Sequence, residues 1–483
     1  MENKKSLSKN YIYNLSYQLL LIIIPLITTP YISRVLGAEG IGTYSYTLSI
    51  VSYFTIFATF GTSIYAQREI AYCQDNVEKR SIVFYEIFSL RAILSVVALT
   101  VYFLIIVHSQ YKFVFIIQSL YIVGVATDVS WYFQGIEEFG KIVLSNSISR
   151  IFNLICIFVF VNSVNDLNIY IFILAIFPVI GNIILWIYIK NNTIKIRLGD
   201  IHPFSHIGGA FQLFIPVIAI QIYTVLDKTM IGLYTDTSVQ NGFYEQAMGI
   251  VRLSLTIVTS LSTVMVPKIS FAFVKGDMKA IKRYMLKSYR FTWAVTLPIT
   301  VGIAMVAELL VPWFMGNGFD EVIMLIRLAS VIILFVGFSN VIGIQYLGPI
   351  KRQNITTTTV IIGAIINFCI NLILIPRFFA MGAVISSVIA EGCITICQLV
   401  YIIYIRKDFK LGDIVRDCWK YIFAVLVMAF ILCLIKQFMA PTIINTCIFI
   451  CIGGLVYTSI LLILKDGLLL DALSEMIKII RKK

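Results

Sequence analysis

Cut at its polar, glycine and proline breaks, the chain leaves fourteen long apolar runs: 10–35, 41–65, 83–107, 114–134, 143–163, 169–189, 208–226, 243–266, 291–315, 321–347, 357–375, 382–405, 419–437 and 443–464. A helix needs ~20 apolar residues to cross a ~30 Å hydrocarbon core, so each run is long enough to span a membrane. The runs account for most of the 59% of the 483 residues that are apolar, and only 13% are charged. The longest stretch between them, 267–290, is too short for a soluble domain. The expectation is an all-α polytopic membrane protein with no aqueous catalytic domain and no enzymatic role.

Lysine and arginine are unevenly placed. The eight segments on the N-terminal side of the alternation hold 28 of the 38, whereas the seven opposite loops hold only Lys112, Lys228 and Arg377. The positive-inside rule therefore predicts both termini in the cytoplasm and an even number of crossings, read here as about 14. The net charge of +13 resides largely in these loops, so no nucleic-acid partner is expected. Nine cysteines lie almost all in apolar runs, where a thiol behaves as a small hydrophobe, and neither a disulfide framework nor a metal site is expected. The opening MENKKSLSKN leads into a full-length run with no small-residue cleavage site and reads as the start of an uncleaved first helix.

An internal repeat sets the architecture. Tyr44–Val51 reads YSYTLSIV and Tyr244–Val251 reads YEQAMGIV, an offset of 200 residues. Each is preceded by a Gly-X pair, Gly42-Thr43 or Gly242-Phe243, and follows a run with an early proline, Pro25 or Pro216. Both copies enter the membrane from the same side, so the duplication is parallel: two pseudosymmetric six-helix bundles related by an axis along the membrane normal. The expected domains are an N-terminal bundle (1–205), a C-terminal bundle (206–405) and two additional helices with a cytoplasmic tail (406–483).

Several runs carry polar residues at helical spacing: Ser45, Ser49, Ser52, Thr59 and Ser63; Asn146, Arg150 and Asn153; Asn367 and Asn371; Ser387, Glu391, Thr395 and Gln398. Lipid cannot satisfy such groups, so each stripe must face protein or a water-filled cavity. Hydrogen bonding between packed helices is a sufficient account of the neutral members. Charges demand more. Arg91, Arg150 and Arg252 lie roughly 10–14 Å inside their runs at 1.5 Å per residue, and each costs ~2.5–3.5 kcal/mol on the insertion scale unless partnered.

With Arg34 and Arg327 these make five candidate substrate-binding residues, because the guanidinium fork suits phosphate and carboxylate oxygens. The alternative is structural pairing with Glu86, Asp128, Glu245, Glu308 or Glu391. Lys420 and Lys436, at run ends, are expected to snorkel. A cationic, watery vestibule between two bundles predicts transport of an anionic solute or of the anionic headgroup of a lipid. Pro25 and Pro216, at equivalent places in the two halves, are candidate hinges, since each removes a backbone hydrogen bond. His202 and His206 lie beside Pro203 in a connection and carry no metal expectation. No glycine-rich phosphate loop with Lys-Ser/Thr is present, so the chain is not expected to hydrolyse ATP.

Several segments resemble one family. They are Asn14-Leu15 through Pro25; Ser33-Arg34-Val35-Leu36-Gly37-Ala38-Glu39-Gly40-Ile41-Gly42-Thr43-Tyr44; Gln67-Arg68-Glu69-Ile70-Ala71; Asp128-Val129-Ser130-Trp131-Tyr132-Phe133-Gln134-Gly135-Ile136-Glu137; Asp227-Lys228; and Asn371-Leu372-Ile373-Leu374-Ile375-Pro376 with Gly382-Ala383. Together they are similar to the bacterial polysaccharide-biosynthesis flippases of the multidrug/oligosaccharidyl-lipid/polysaccharide exporter superfamily. The resemblance implies a protein of the bacterial inner membrane that moves an undecaprenyl-diphosphate-linked repeat unit of O-antigen, capsule or teichoic-acid type to the outer leaflet.

It also implies arginines in a central cavity, matched by environment in Arg91, Arg150 and Arg252, and a polymerase and glycosyltransferases of the same pathway as partners. No cofactor is expected. A proton or sodium gradient would drive the step through Asp128, Glu308 or Glu391. A multidrug or cation antiporter of the same superfamily should favour a carboxylate-rich cavity. A polytopic glycan polymerase should show a larger external loop than 227–242. A lipid II flippase shares the architecture and differs in headgroup.

Overall fold

The computed structural model describes residues 2–190, 192–471 and 474, and their side chains except 2–16, 198, 216, 219–220 and 222–223. Among the described residues the chain is helix and connecting turns, with no strand. Each of the fourteen apolar runs falls on helix. Among the described residues eleven stretches are long and apolar enough to cross a membrane, and several of these hold more than one helix.

Helix α1 (Glu2–Thr59) has 58 residues, about 87 Å at 1.5 Å per residue, nearly three times the hydrocarbon thickness. It breaks at Gly37 (φ 66°, ψ −177°), inside the 36–40 gap between the first two runs. Glycine has no Cβ to oppose a positive φ, so the break falls where the sequence supplies one. Helix α14 (Gln353–Val400) breaks in the same way at Phe379 (φ 48°, ψ −124°), just after Pro376.

Two compact units make up the chain, Met1–Gly242 and Phe243–Lys483. The first contains α1, α2 (Thr62–Tyr72), α3 (Val77–Ile106), α4 (Lys112–Thr127), α5 (Ser130–Gly135), α6 (Phe139–Phe160), α7 (Leu167–Ile189) and α8 (Ile207–Tyr234). Helix α8 packs within this unit, so the compact unit extends past the 205/206 boundary expected from the repeat. The close approaches explain it. A Cβ at Gly61 would meet the α8 backbone at Ala210, Leu213 and Phe214, Gly232 lies against the Tyr46 ring, and Ser49 Oγ is 2.9 Å from Thr229 Oγ1.

The unit contains an aromatic cluster. Phe84, Trp131, Tyr132 and Phe133 are fully buried there with Ile70, Ile87 and Leu185.

The second unit contains α9 (Val239–Thr259) from Phe243 onward, α10 (Ser262–Val274), α11 (Met278–Phe314), α12 (Asp320–Ala329), α13 (Val331–Asn340), α14, α15 (Leu411–Ile414), α16 (Cys418–Lys436) and α17 (Ile443–Ile463). The last two helices pack on α11: Val306 and Leu309 bury against Tyr421, Met428, Leu432 and Phe449. The 267–290 stretch, read from sequence as a connection, is mostly helical. Asp277 caps α11 by accepting from Ala280 N (2.9 Å), which lets the helix start thirteen residues before the apolar run at 291.

Candidate functional site

Arg91, Arg252 and Arg327 are paired with acidic side chains. Arg91 on α3 is 2% exposed. Its Nη2 lies 3.4 Å from Asp128 Oδ2, its Nη1 donates to Asp128 O (3.2 Å), and Nη2 also donates to Ser63 Oγ on α2 (3.4 Å). Asp128 sits where α4 gives way to α5, in extended backbone. Its Oδ1 accepts from Ser130 N (2.9 Å) and its carbonyl accepts from Trp131 Nε1 (2.9 Å). Arg91 thus fastens three segments at a helix break whose backbone groups need partners inside the membrane. A candidate binder and a candidate ion-coupling carboxylate are thus paired with each other, the arginine buried and the carboxylate partly exposed.

Arg252 on α9 pairs with Glu245, two turns earlier on the same helix, with the guanidinium about half exposed. Arg327 on α12 pairs with Glu308 on α11, which also takes Lys436 from α16. Lys436, expected to snorkel, is therefore tied to a carboxylate shared between two cations. Glu391, the third candidate carboxylate, is half-buried on α14, and its carbonyl accepts from Thr395 Oγ1 (2.9 Å).

Arg150 differs. It is exposed near the middle of α6, donates from Nε to Tyr17 OH (3.2 Å) and lies over the Tyr17 ring at 5.7 Å. Among the described residues it forms no ion pair. Arg34 is exposed on the first half of α1. Pro25 is half-buried in that same half, and the side chain of Pro216, within α8, lies outside the described residues.

Some neutral polar residues of these runs serve packing. Ser145 Oγ donates to Gly181 O (2.5 Å) and Asn153 Nδ2 to Ile173 O (3.2 Å), joining α6 to α7. Asn367 and Asn371 are fully buried and bonded to each other (3.0 Å), and Gln398 donates to Thr359 (3.2 Å).

Sequence reasoning missed a buried network on α3. Glu86 Oε2 lies 2.8 Å from His206 Nε2, His206 Nδ1 lies 3.0 Å from Tyr65 OH, and Glu86 Oε1 accepts from His202 N (3.0 Å). Glu86, His206 and Tyr65 are all buried. Glu86 stands out in the sequence as an acid within a run, but its partners His202 and His206 come from 116 and 120 residues away. Among the described residues no cluster of His, Cys, Asp and Glu is placed to hold a metal ion.

Comparison with known proteins gives a consistent outcome. The family described as polysaccharide biosynthesis protein matches residues 7–273. A candidate O-antigen transporter of Escherichia coli strain K12 is 26% identical over 412 residues, 83% of this chain and 97% of its own. One from Shigella dysenteriae is 23% identical over 384 residues, 78% of this chain and 94% of its own.

Among solved structures, the lipid II flippase MurJ in an inward closed conformation matches with TM-score 0.77 at 17% identity, covering 94% of this chain and 99% of that one. An inward-facing multidrug resistance MATE transporter of the MOP superfamily matches with TM-score 0.61 at 14% identity, covering 80% and 97%. At these identities the structural likeness is one of fold.

Proposed function

Because the chain belongs to the polysaccharide biosynthesis protein family, we propose that it is a flippase that carries an undecaprenyl-diphosphate-linked oligosaccharide repeat unit from the cytoplasmic to the outer leaflet. The repeat unit serves a cell-surface polymer of O-antigen, capsule or teichoic-acid type. The chain is a multi-pass protein of the bacterial inner membrane. In the proposed topology it crosses fourteen times with both termini in the cytoplasm, and it works beside the polymerase and glycosyltransferases of its pathway.

The observation that carries this reading is Arg150. A cation in mid-membrane costs ~2.5–3.5 kcal/mol, and Arg91, Arg252 and Arg327 offset that cost with acidic partners. Arg150 leaves its charge on offer beside the Tyr17 ring, which suits a sugar diphosphate: the guanidinium meets phosphate oxygens and the ring meets the sugar face. The head crosses in a watery, cationic path while the polyprenyl tail stays in lipid. Arg34, in the same unit as Arg150, provides a further cationic station.

A proton or sodium gradient drives the cycle, through Asp128, Glu308 or Glu391. Protonating Asp128 or Glu308 would release the arginine each holds.

The test is surface export in cells carrying Arg150→Gln or Arg150→Lys. Losing a charged hydrogen bond worth ~1.5–3 kcal/mol predicts about a tenfold or greater drop for Arg150→Gln at unchanged membrane abundance, with partial function in Arg150→Lys. Full export by Arg150→Gln would remove Arg150 from the substrate path.

A further inference from the structure

The 267–290 stretch forms a second cationic feature, built from residues other than the paired arginines. Along the start of α11, Lys279, Lys282, Arg283, Lys287 and Arg290 follow one another at spacings of three, one, four and three residues. At 100° per residue these positions share one face. Arg416, just beyond α15, joins them on the rim of a cavity of about 730 Å³, within the ~300–1,000 Å³ range of ligand sites. Its apolar floor includes Leu261, Met265 and Leu286.

The described lining holds six cations against two carboxylates, Asp413 and Asp471. Two of the cations are committed: Lys282 to Asp413 (2.9 Å) and Arg290 to Asp417 (2.8 Å), bonds that tie α11 to α15 and to the start of α16. Lys279, Arg283, Lys287 and Arg416 form no ion pair among the described residues. Four like charges around one hollow repel each other until an anion enters. The apolar floor would add nothing for a soluble anion but would shelter the first methylenes of an acyl or prenyl chain. The lysine and arginine asymmetry puts this rim on the cytoplasmic side, where basic pockets between helices meet lipid phosphates.

We propose that this cavity binds the phosphate headgroup of a membrane lipid, at a site separate from Arg150. An anionic phospholipid such as phosphatidylglycerol and the polyprenyl diphosphate of the transported lipid share that chemistry. The site holds its ligand whether or not translocation proceeds, so it is tested by binding.

The full-length protein in phosphatidylcholine nanodiscs is titrated with phosphatidylglycerol, undecaprenyl diphosphate or inorganic phosphate, and retained ligand is read by native mass spectrometry. The variant Lys279→Gln/Arg283→Gln/Lys287→Gln/Arg416→Gln is expected to retain about tenfold less lipid or lower still, whereas Lys195→Gln/Arg197→Gln, in a different connection, retains as much as the unmodified protein. The milder Lys287→Gln/Arg416→Gln is expected to be intermediate and serves where the fourfold variant does not fold. Cavity-dependent retention of phosphatidylglycerol supports a bulk-lipid ligand, and retention of undecaprenyl diphosphate alone supports the transported lipid. Undiminished retention of both lipids by both cavity variants, or equally tight binding of inorganic phosphate, overturns the proposal.

Discussion

Gly42 and Gly242, 200 residues apart at equivalent places in the repeated segment, lie backbone against backbone in the first unit. A Cβ on Gly42 would strike the carbonyl of Ser238 and come within 2.8 Å of Gly242 N, and a Cβ on Gly242 would strike the carbonyl of Ala38. The second half of α1 and the first turn of α9 thus approach more closely than any side chain allows. The glycines marked by the repeat are a packing requirement, met twice at the same contact.

Gly42→Ala and Gly242→Ala should each destabilise the protein by ~1–3 kcal/mol through overpacking that the backbone cannot relieve. Gly249→Ala, where a Cβ meets nothing within 4 Å, is the control and should be neutral or mildly stabilising. Thermal unfolding in detergent measures both. A neutral Gly42→Ala would mean that the two segments separate readily.

For Arg91, the sequence alone predicts lost export at normal abundance, and the structure redirects that expectation. Arg91→Ala leaves Asp128 and the α4–α5 break without their buried cation, a loss on the order of 3 kcal/mol that should lower membrane abundance. Arg91→Met/Asp128→Asn should recover much of it, because no uncompensated charge remains. Normal abundance with abolished export in Arg91→Ala would instead return Arg91 to the substrate path.

Asp413, in the connection before α16, carries a pH dependence of definite sign. The Lys282 ammonium hydrogen-bonded to it holds its carboxyl below the usual aspartate range, with further help from Lys410 N. A carboxylate depressed in the folded state contributes stability above its unfolded value near ~3.9, and that contribution disappears as pH falls through the lower folded value. Lys282→Gln should move the Asp413 titration upward, toward the ordinary range. Carboxyl-carbon NMR of the two proteins between about pH 5 and 2 reads the shift, and coincident titrations would contradict the pairing.

What could be read in advance follows the range over which each interaction acts. The apolar runs appear as helices because crossing a bilayer needs only local composition, and the breaks at Gly37 and Phe379 fall in the gaps of the pattern. The helical start of α11 was hidden because its residues are polar, and hydropathy marks only the part of a helix that meets lipid. The same polarity concealed the basic cavity, whose signal was the helical spacing of five cations.

Arg91, Glu308 and His206 were identifiable as unusual residues, but their partners Asp128, Lys436 and Glu86 lie 37, 128 and 120 residues away. Only packing brings them together. The placement of α8 in the first unit depends on contacts such as Gly61 against its backbone, which no periodicity encodes.

The most direct measurement is depletion of this protein in its native cell, followed by mass spectrometry of undecaprenyl-linked intermediates with an assay of which leaflet holds them. Accumulation of one complete lipid-linked repeat unit on the cytoplasmic face is the predicted result, and it identifies the glycan as well. Unchanged undecaprenyl-linked lipids, accumulated lipid II, or repeat units gathered in the outer leaflet would contradict the proposed flipping of a polysaccharide repeat unit.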